Sequence, residues 1–198
     1  MCVIAIVQQL TAINSLLQFS ALLLKNSGLD SNIVAMMGAT GMMALNFLST
    51  ILAILLVDKL GRKFLMIVGT LGLTCALLYT AAVLHFVATS PLQGELLMLG
   101  LFGFIIFFAI GPGAVIWMIL SELLPLKIRS KGMGIGLFLN SLTSAILAAV
   151  FLPLIVHLGA SMVFLICSGF TFIYFLISWK LLPETKNKTL EEIEEIFA

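Results

Sequence analysis

The chain has 198 residues, 62% of them hydrophobic and only 10% charged, with a mean hydropathy of +1.23 and a net charge of +1. A water-soluble domain carries roughly 25% charged residues, so that class is excluded, and no basic cluster is large enough to bind nucleic acid. The charges gather between long apolar runs, each able to cross a hydrocarbon layer, since about 20 helical residues span about 30 Å.

Six runs predict membrane-spanning helices over 1–24, 33–57, 64–88, 96–120, 132–158 and 162–182, followed by a tail over 183–198. A signal peptide would account only for the first. The fold class is therefore all-α and polytopic, embedded in a lipid bilayer.

The first span contains "VQQLTAINSLLQFS", with Gln8, Gln9, Thr11, Asn14, Ser15 and Gln18 among apolar neighbours. On one continuous helix at about 100° per residue, all but Gln9 fall within an arc of about 120°. Such a stripe must face protein or a water-filled cavity, because unsatisfied polar groups are costly in hydrocarbon. One use is interhelical hydrogen bonding, worth about 0.6 kcal/mol per pair. Another is a wall for a neutral solute rich in hydroxyls, since an amide offers donor and acceptor on one short arm. A charged solute would demand an intramembrane charge, and the spans hold almost none.

The second span carries Asn46 in its core and leads into "DKLGRK", with Asp58, Lys59, Arg62 and Lys63. The third ends near His85, which suits a solvated interfacial position. The fourth is interrupted by Gly111-Pro112-Gly113. Proline removes an intrahelical hydrogen bond and glycine adds backbone freedom, so this is either a static kink or a bending point that gates a cavity. Trp117 follows, deep enough in the span to stack its face on a sugar ring rather than anchor at the interface. The loop "SELLPLKIRSK" brings Glu122, Lys127, Arg129 and Lys131.

In the fifth span Asn140 opens "NSLTS", with Ser141, Thr143 and Ser144 close by, and His157 lies at its far end. Pro183 ends the sixth span, and Thr189 with Glu192 fits a capping box that predicts a short amphipathic helix in the tail. Basic residues favour every second loop and the tail, which places those segments and both termini in the cytoplasm. Cys2, Cys75 and Cys167 lie on three different spans and suggest neither a disulfide framework nor a metal site. No nucleophile–base pair, metal cluster or phosphate loop is present, so the chain offers no enzyme chemistry and calls for no cofactor.

Four segments, "QQLTAIN", "DKLGRK", "GPGAVIWMILSELLPLKIRSKG" and "PETKNKTLEEI", resemble in order and spacing the C-terminal half of a sugar porter of the major facilitator superfamily. The resemblance covers essentially the whole chain. It implies six helices forming one half of a twelve-helix fold that works by alternating access. It implies that Gln8, Gln9, Asn14, Asn46 and Trp117 contact the sugar, with Asn140 near the site. It further implies that Asp58, Arg62, Glu122, Arg129 and Glu184 belong to a charge network closing the cytoplasmic side. Phe19, with Gly111, Pro112 and Gly113, would gate the site.

The departures are specific. Ala12 replaces a glycine of the family's QQxxGIN motif, Leu17 and Gln18 replace aromatic residues before Phe19, and Ala109 takes a place often acidic. Ser141 stands where a second tryptophan is common, and Asn187 replaces the last glycine of PETKG. These changes shift the expectation from glucose towards another polyol or a pentose, carried by uniport or proton symport. The other six-helix half is expected from the same chain, a separate chain or a second copy, in a plasma membrane or bacterial inner membrane. The competing readings are a non-transporting sugar-binding partner or sensor and an inactive half.

Overall fold

The computed structural model describes residues 2–26, 32–122, 124 and 128–182. The helices, in order, are α1 (Cys2–Gln9), α2 (Ile13–Asn26), α3 (Asn32–Leu60), α4 (Arg62–Phe86), α5 (Pro91–Phe108), α6 (Val115–Glu122), α7 (Arg129–Leu158) and α8 (Ala160–Leu181). A wide π-type turn, Ala109–Gly113, joins α5 to α6. Six segments are long and apolar enough to cross a membrane: α1 with α2, α3, α4, α5 through α6, α7 and α8. The tail and its expected amphipathic helix lie outside the described residues.

The first span differs from expectation. It is two helices separated by a step at Leu10–Ala12, not one continuous helix. Thr11 Oγ1 donates to the Gln8 carbonyl at 2.6 Å, competing with the helical ladder. Ala12 sits at φ 65°, the one non-glycine residue with positive φ among those described. That left-handed conformation costs an L-residue roughly 1–2 kcal/mol. The glycine of the QQxxGIN motif that this segment resembles would adopt it freely.

The two three-span halves of the chain repeat the same devices. Each begins with a broken span: α1/α2 in one half, α5/α6 in the other. In each, the second and third spans are joined through one residue, Gly61 at φ 91°, ψ 153° and Gly159 at φ 83°, ψ 149°. No side chain tolerates that backbone well, so both tight turns require glycine. The connection between the halves is a capped turn. Ser90 Oγ accepts from the Gln93 amide at 3.3 Å, Pro91 occupies the first helical turn, and Gln93 Nε2 donates to the Val87 carbonyl at 2.6 Å.

The long third spans, α4 and α8, pack along each other, and Ser161 Oγ ties them through the Ala81 carbonyl at 2.8 Å. By contrast α7 presents most of its surface outward and is far less buried than the fourth span. Its exposed Ile135, Phe138, Ile146 and Val156 are acceptable only against lipid or another protein.

The core is divided into two apolar lobes. One gathers Ala12, Ile13, Leu16, Leu73, Leu77, Leu101, Phe104, Phe151 and Phe164. The other gathers Ile4, Leu65, Met66, Val115, Ile116, Ile119, Leu120 and Tyr174. Between them, at mid-height on the spans, lies a layer of polar and small residues: Gln8, Gln9, Thr11, Thr70, Pro112, Asn140, Ser168 and Thr171. Here α4 meets the π-type turn backbone to backbone. A methyl built on Gly69 would lie 2.7 Å from Gly111 Cα, and one on Gly111 would lie 2.8 Å from the Leu65 carbonyl oxygen.

Backbone atoms cannot yield as a flexible side chain can. Gly69→Ala and Gly111→Ala should therefore each destabilise the protein by about 1–3 kcal/mol, the ordinary cost of overpacking. Gly134→Ala, on open α7 surface with nothing within 4 Å, should be neutral or stabilising. Thermal unfolding in detergent checks this; equal melting temperatures for all three variants would refute the close approach.

Candidate functional site

The step at Leu10–Ala12 resets the helical phase of the first span, so the single polar stripe does not survive. Gln9, expected off to one side, turns into the protein with Gln8, and the two are 6% and 3% exposed. Asn14 and Gln18, beyond the step, remain exposed, and Ser15 is buried. The physical reason is local: a non-helical step breaks the 100° progression on which the stripe rested.

Gln8, Gln9, Asn14 and Asn140 form one continuous chain of amides. Gln8 Nε2 donates to the Pro112 carbonyl at 3.1 Å. Asn140 Nδ2 donates to the Ala5 carbonyl at 2.9 Å and also to Gln8 Oε1. Gln9 Nε2 donates to Asn140 Oδ1 at 2.9 Å. Asn14 Nδ2 donates to Gln9 Oε1 at 3.1 Å and to Ser144 Oγ at 2.8 Å. The chain therefore links α1, α2, α7 and the π-type turn.

Its polarity is fixed at two points. The Ala5 and Pro112 carbonyls can only accept, so Asn140 and Gln8 must each turn an NH₂ group towards them. Asn140 Oδ1 then faces Gln9, which must answer with Nε2. Gln9 Oε1 in turn faces Asn14, which must answer with Nδ2. Asn14 is thus left with Oδ1, an acceptor, at the exposed end, beside the hydroxyl of Ser144. Ser144 was not among the expected site residues. Its signal was its place four residues after Asn140, on the same face of α7.

The other expected residues are placed differently. Asn46 is half-buried on α3, where Thr50 Oγ1 donates to its carbonyl at 2.8 Å and its side chain lies 3.4 Å from the same hydroxyl. Neither contact joins it to the amide chain. Trp117 is half-buried on α6 and packs against the second apolar lobe, as do Val7 and Ile110. Phe19 stacks on Phe151 of α7, with ring centroids 5.9 Å apart and planes 11° apart. The Gly111-Pro112-Gly113 break is present as the π-type turn.

At one end of the bundle Arg62 gathers part of the expected charge network. Its Nη1 lies 3.1 Å from Asp58 and its Nε 3.5 Å from Glu122, joining α3, α4 and α6. Arg62 and Glu122 are partly buried while Asp58 is exposed, so the Glu122 contact is the less screened. Arg129 donates from Nε to the Leu124 carbonyl at 3.2 Å and so holds the start of α7. Glu184 lies outside the described residues. Among the described residues no three His, Cys, Asp or Glu side chains converge as a metal site would need.

The arrangement has relatives. The chain is 33% identical over 193 residues to the glucose transporter GlcP of Staphylococcus epidermidis, covering 98% of this chain and 43% of that protein. It is 31% identical to the major myo-inositol transporter IolT of Bacillus subtilis, covering 98% of this chain and 41% of that protein. Among solved structures, the major facilitator superfamily proton:xylose symporter XylE, bound to 6-bromo-6-deoxy-D-glucose, superposes with a TM-score of 0.87 at 29% identity. The match takes in all of this chain and 42% of that one. The inward open conformation of XylE from E. coli gives a TM-score of 0.84 at 28% identity, over 98% and 40% of the two chains. The chain thus spans about two fifths of the length of the relatives it matches. The family model for sugar (and other) transporters matches residues 1–197. With six apolar spans, a major facilitator half-fold and that match along nearly its whole length, the chain belongs to the sugar transporter family, whose members are transporters and not enzymes.

Proposed function

We propose that this chain is the half of a transporter that binds a neutral, hydroxyl-rich solute, a sugar or related polyol, and moves it by alternating access as a uniporter or proton symporter. The observation that carries the reading is the amide chain. It brings four uncharged polar side chains together between the two apolar lobes and ends in an exposed acceptor, Asn14 Oδ1, beside the Ser144 hydroxyl. A hydroxylated solute can donate to the first and accept from the second, replacing water hydrogen bonds without neutralising a buried charge. In this reading Gln18 and Ser141, exposed on α2 and α7, enlarge that surface, and the half-buried Trp117 of α6 and Asn46 of α3 are further contacts that the family resemblance implies. Relatives named for glucose, myo-inositol and xylose transport support this solute class.

In this reading the solute is enclosed against a second six-helix unit, from the same chain, a separate chain or a second copy. The exposed apolar surface of α3 and α7 is what such a unit would cover. Both termini lie on the cytoplasmic side of a plasma membrane or bacterial inner membrane. The Arg62 cluster then sits at the cytoplasmic face and holds α6 against α3 and α4 while the outer side is open.

Uptake of radiolabelled neutral monosaccharides and polyols into vesicles bearing the complete transporter tests the reading. Asn14→Ala should raise KM about tenfold, the equivalent of about 1.4 kcal/mol, with normal abundance in the membrane. Unchanged kinetics would mean that Asn14 serves only to hold helices together. Arg62→Met should favour the inward-open state. Its signature would be faster modification of the exposed native Cys2 by an impermeant maleimide in inside-out vesicles; an unaltered rate would remove the charge cluster from the gating mechanism.

A further inference from the structure

A groove of about 590 Å³ lies on the outward surface of the α4–α8 pair, between the last turns of α4 and the first turns of α8. It is at the end of the bundle away from Arg62, since α4 begins at that residue and ends at Phe86. Leu78, Ala82 and Phe86 wall it on one side and Leu165 on the other, while His85 and Ser161 are the polar residues of its lining. Among the described residues no acidic side chain lines it. A space of this size is ample for a small molecule or one chain of a lipid.

The groove is graded along the spans. His85 is in the last turn of α4, and Leu78 lies seven residues earlier, about 10 Å deeper. Ser161 is in the first turn of α8, and Leu165 is one turn deeper. Polar residues therefore mark the mouth, and apolar walls lead towards the centre of the bilayer. The Ser161 hydroxyl spends its hydrogen on the carbonyl of the buried Ala81, so the tie between α4 and α8 forms part of the floor. The exposed His85 ring stands edge-on to Phe86, with centroids 4.8 Å apart and planes 87° apart. Its nitrogens have no hydrogen-bond partner among the described residues.

These features select the occupant. Water finds too few partners between walls of leucine, alanine and phenylalanine. The exposed apolar surface that awaits a second six-helix unit is on α3 and α7, which leaves the α4–α8 surface to lipid. An occupant drawn from the bilayer must be apolar at depth and polar at the span end, as a phospholipid is. We propose that the groove binds one phospholipid, its phosphate accepting a hydrogen bond from His85 and one acyl chain lying between Leu78 and Leu165. The imidazole can donate, and no carboxylate in the lining repels an anion. The bound chain lies across the Ser161–Ala81 tie and splints the α4–α8 pair at that end. The site is independent of the transport function proposed above. Only its leaflet rests on that reading, whose orientation puts it in the leaflet facing away from the cytoplasm.

Photolabelling of the complete transporter in phosphatidylcholine vesicles tests the site. The probes are a phosphatidylcholine with a diazirine midway along one acyl chain and a diacylglycerol with the same chain but no phosphate. The first should label 78–86 and 161–165 several-fold more than the exposed Phe172 and Trp179, which share the outward surface of α8. Ala82→Trp fills the groove and should abolish that excess. His85→Ala should lower phospholipid labelling about threefold, the loss of one hydrogen bond, and leave diacylglycerol labelling unchanged. His157→Ala, exposed on α7 but outside the lining, should alter neither. Even labelling along α8, or an excess that survives Ala82→Trp, would overturn the site. Equal labelling by the two probes would overturn the phosphate contact, and a second copy of the chain cross-linked there would replace lipid with protein as the occupant. Should Ala82→Trp fail to reach the membrane, Leu165→Trp fills the groove from α8. Probe delivered to the cytoplasmic leaflet alone should not label the groove; if it does, the orientation proposed above is reversed and the lipid site stands.

Discussion

The structure depends on the rule that a backbone polar group buried in a membrane must find its partner within the protein. A continuous helix obeys the rule by construction, but this chain breaks two of its six spans between the two apolar lobes. Each break leaves carbonyls that the helical ladder no longer serves in the ordinary way. The Gln8 carbonyl is met by Thr11 and the Pro112 carbonyl by Gln8, while Asn140 adds a bond to the Ala5 carbonyl within α1. The polar residues of the first span are therefore first a repair of the helix and only then a surface for a ligand.

That double duty explains the division of the core. Apolar lobes lie on either side of the polar layer, and the spans cross from one lobe to the other through it. The hydroxyls of Thr70, Ser168 and Thr171 are satisfied by their own helices, donating to the carbonyls of Met66, Leu165 and Cys167. They add polarity at no cost in unpaired groups. Within the layer the amides reach between helices, because they carry a donor and an acceptor farther from the backbone than these hydroxyls do. The close contact of Gly69 with Gly111 brings α4 onto the break in the fourth span, so the layer is tightly packed on that side and open on the side of Asn14.

The same devices recur in the two halves of the chain: the first span of each is interrupted, and the third spans, α4 and α8, pack along each other. The Arg62 cluster lies at the far end of α6, a lever arm beginning at Pro112. A contact at such a partly screened site is worth up to about 1 kcal/mol, whereas the buried amides are shielded from water.

The sequence by itself determined the six spans, because apolar length is a sum over neighbouring residues and needs no knowledge of packing. It also marked the Gly111-Pro112-Gly113 interruption, since proline and glycine act on the backbone wherever they stand. The break in the first span carried no such mark: Ala12 occupies the left-handed position that glycine would have signalled, and the helical stripe drawn through it was accordingly wrong for Gln9. Likewise the residue types Gln8, Gln9, Asn14 and Asn140 stood out as uncharged polar groups in hydrocarbon, yet nothing local distinguished the ones that brace from the one left open. That distinction was made by two backbone carbonyls, Ala5 and Pro112, one of them 104 residues away from the glutamine it accepts from. Tertiary structure decided it because an amide's orientation is set by the partner it meets, and the fold alone brings those partners together.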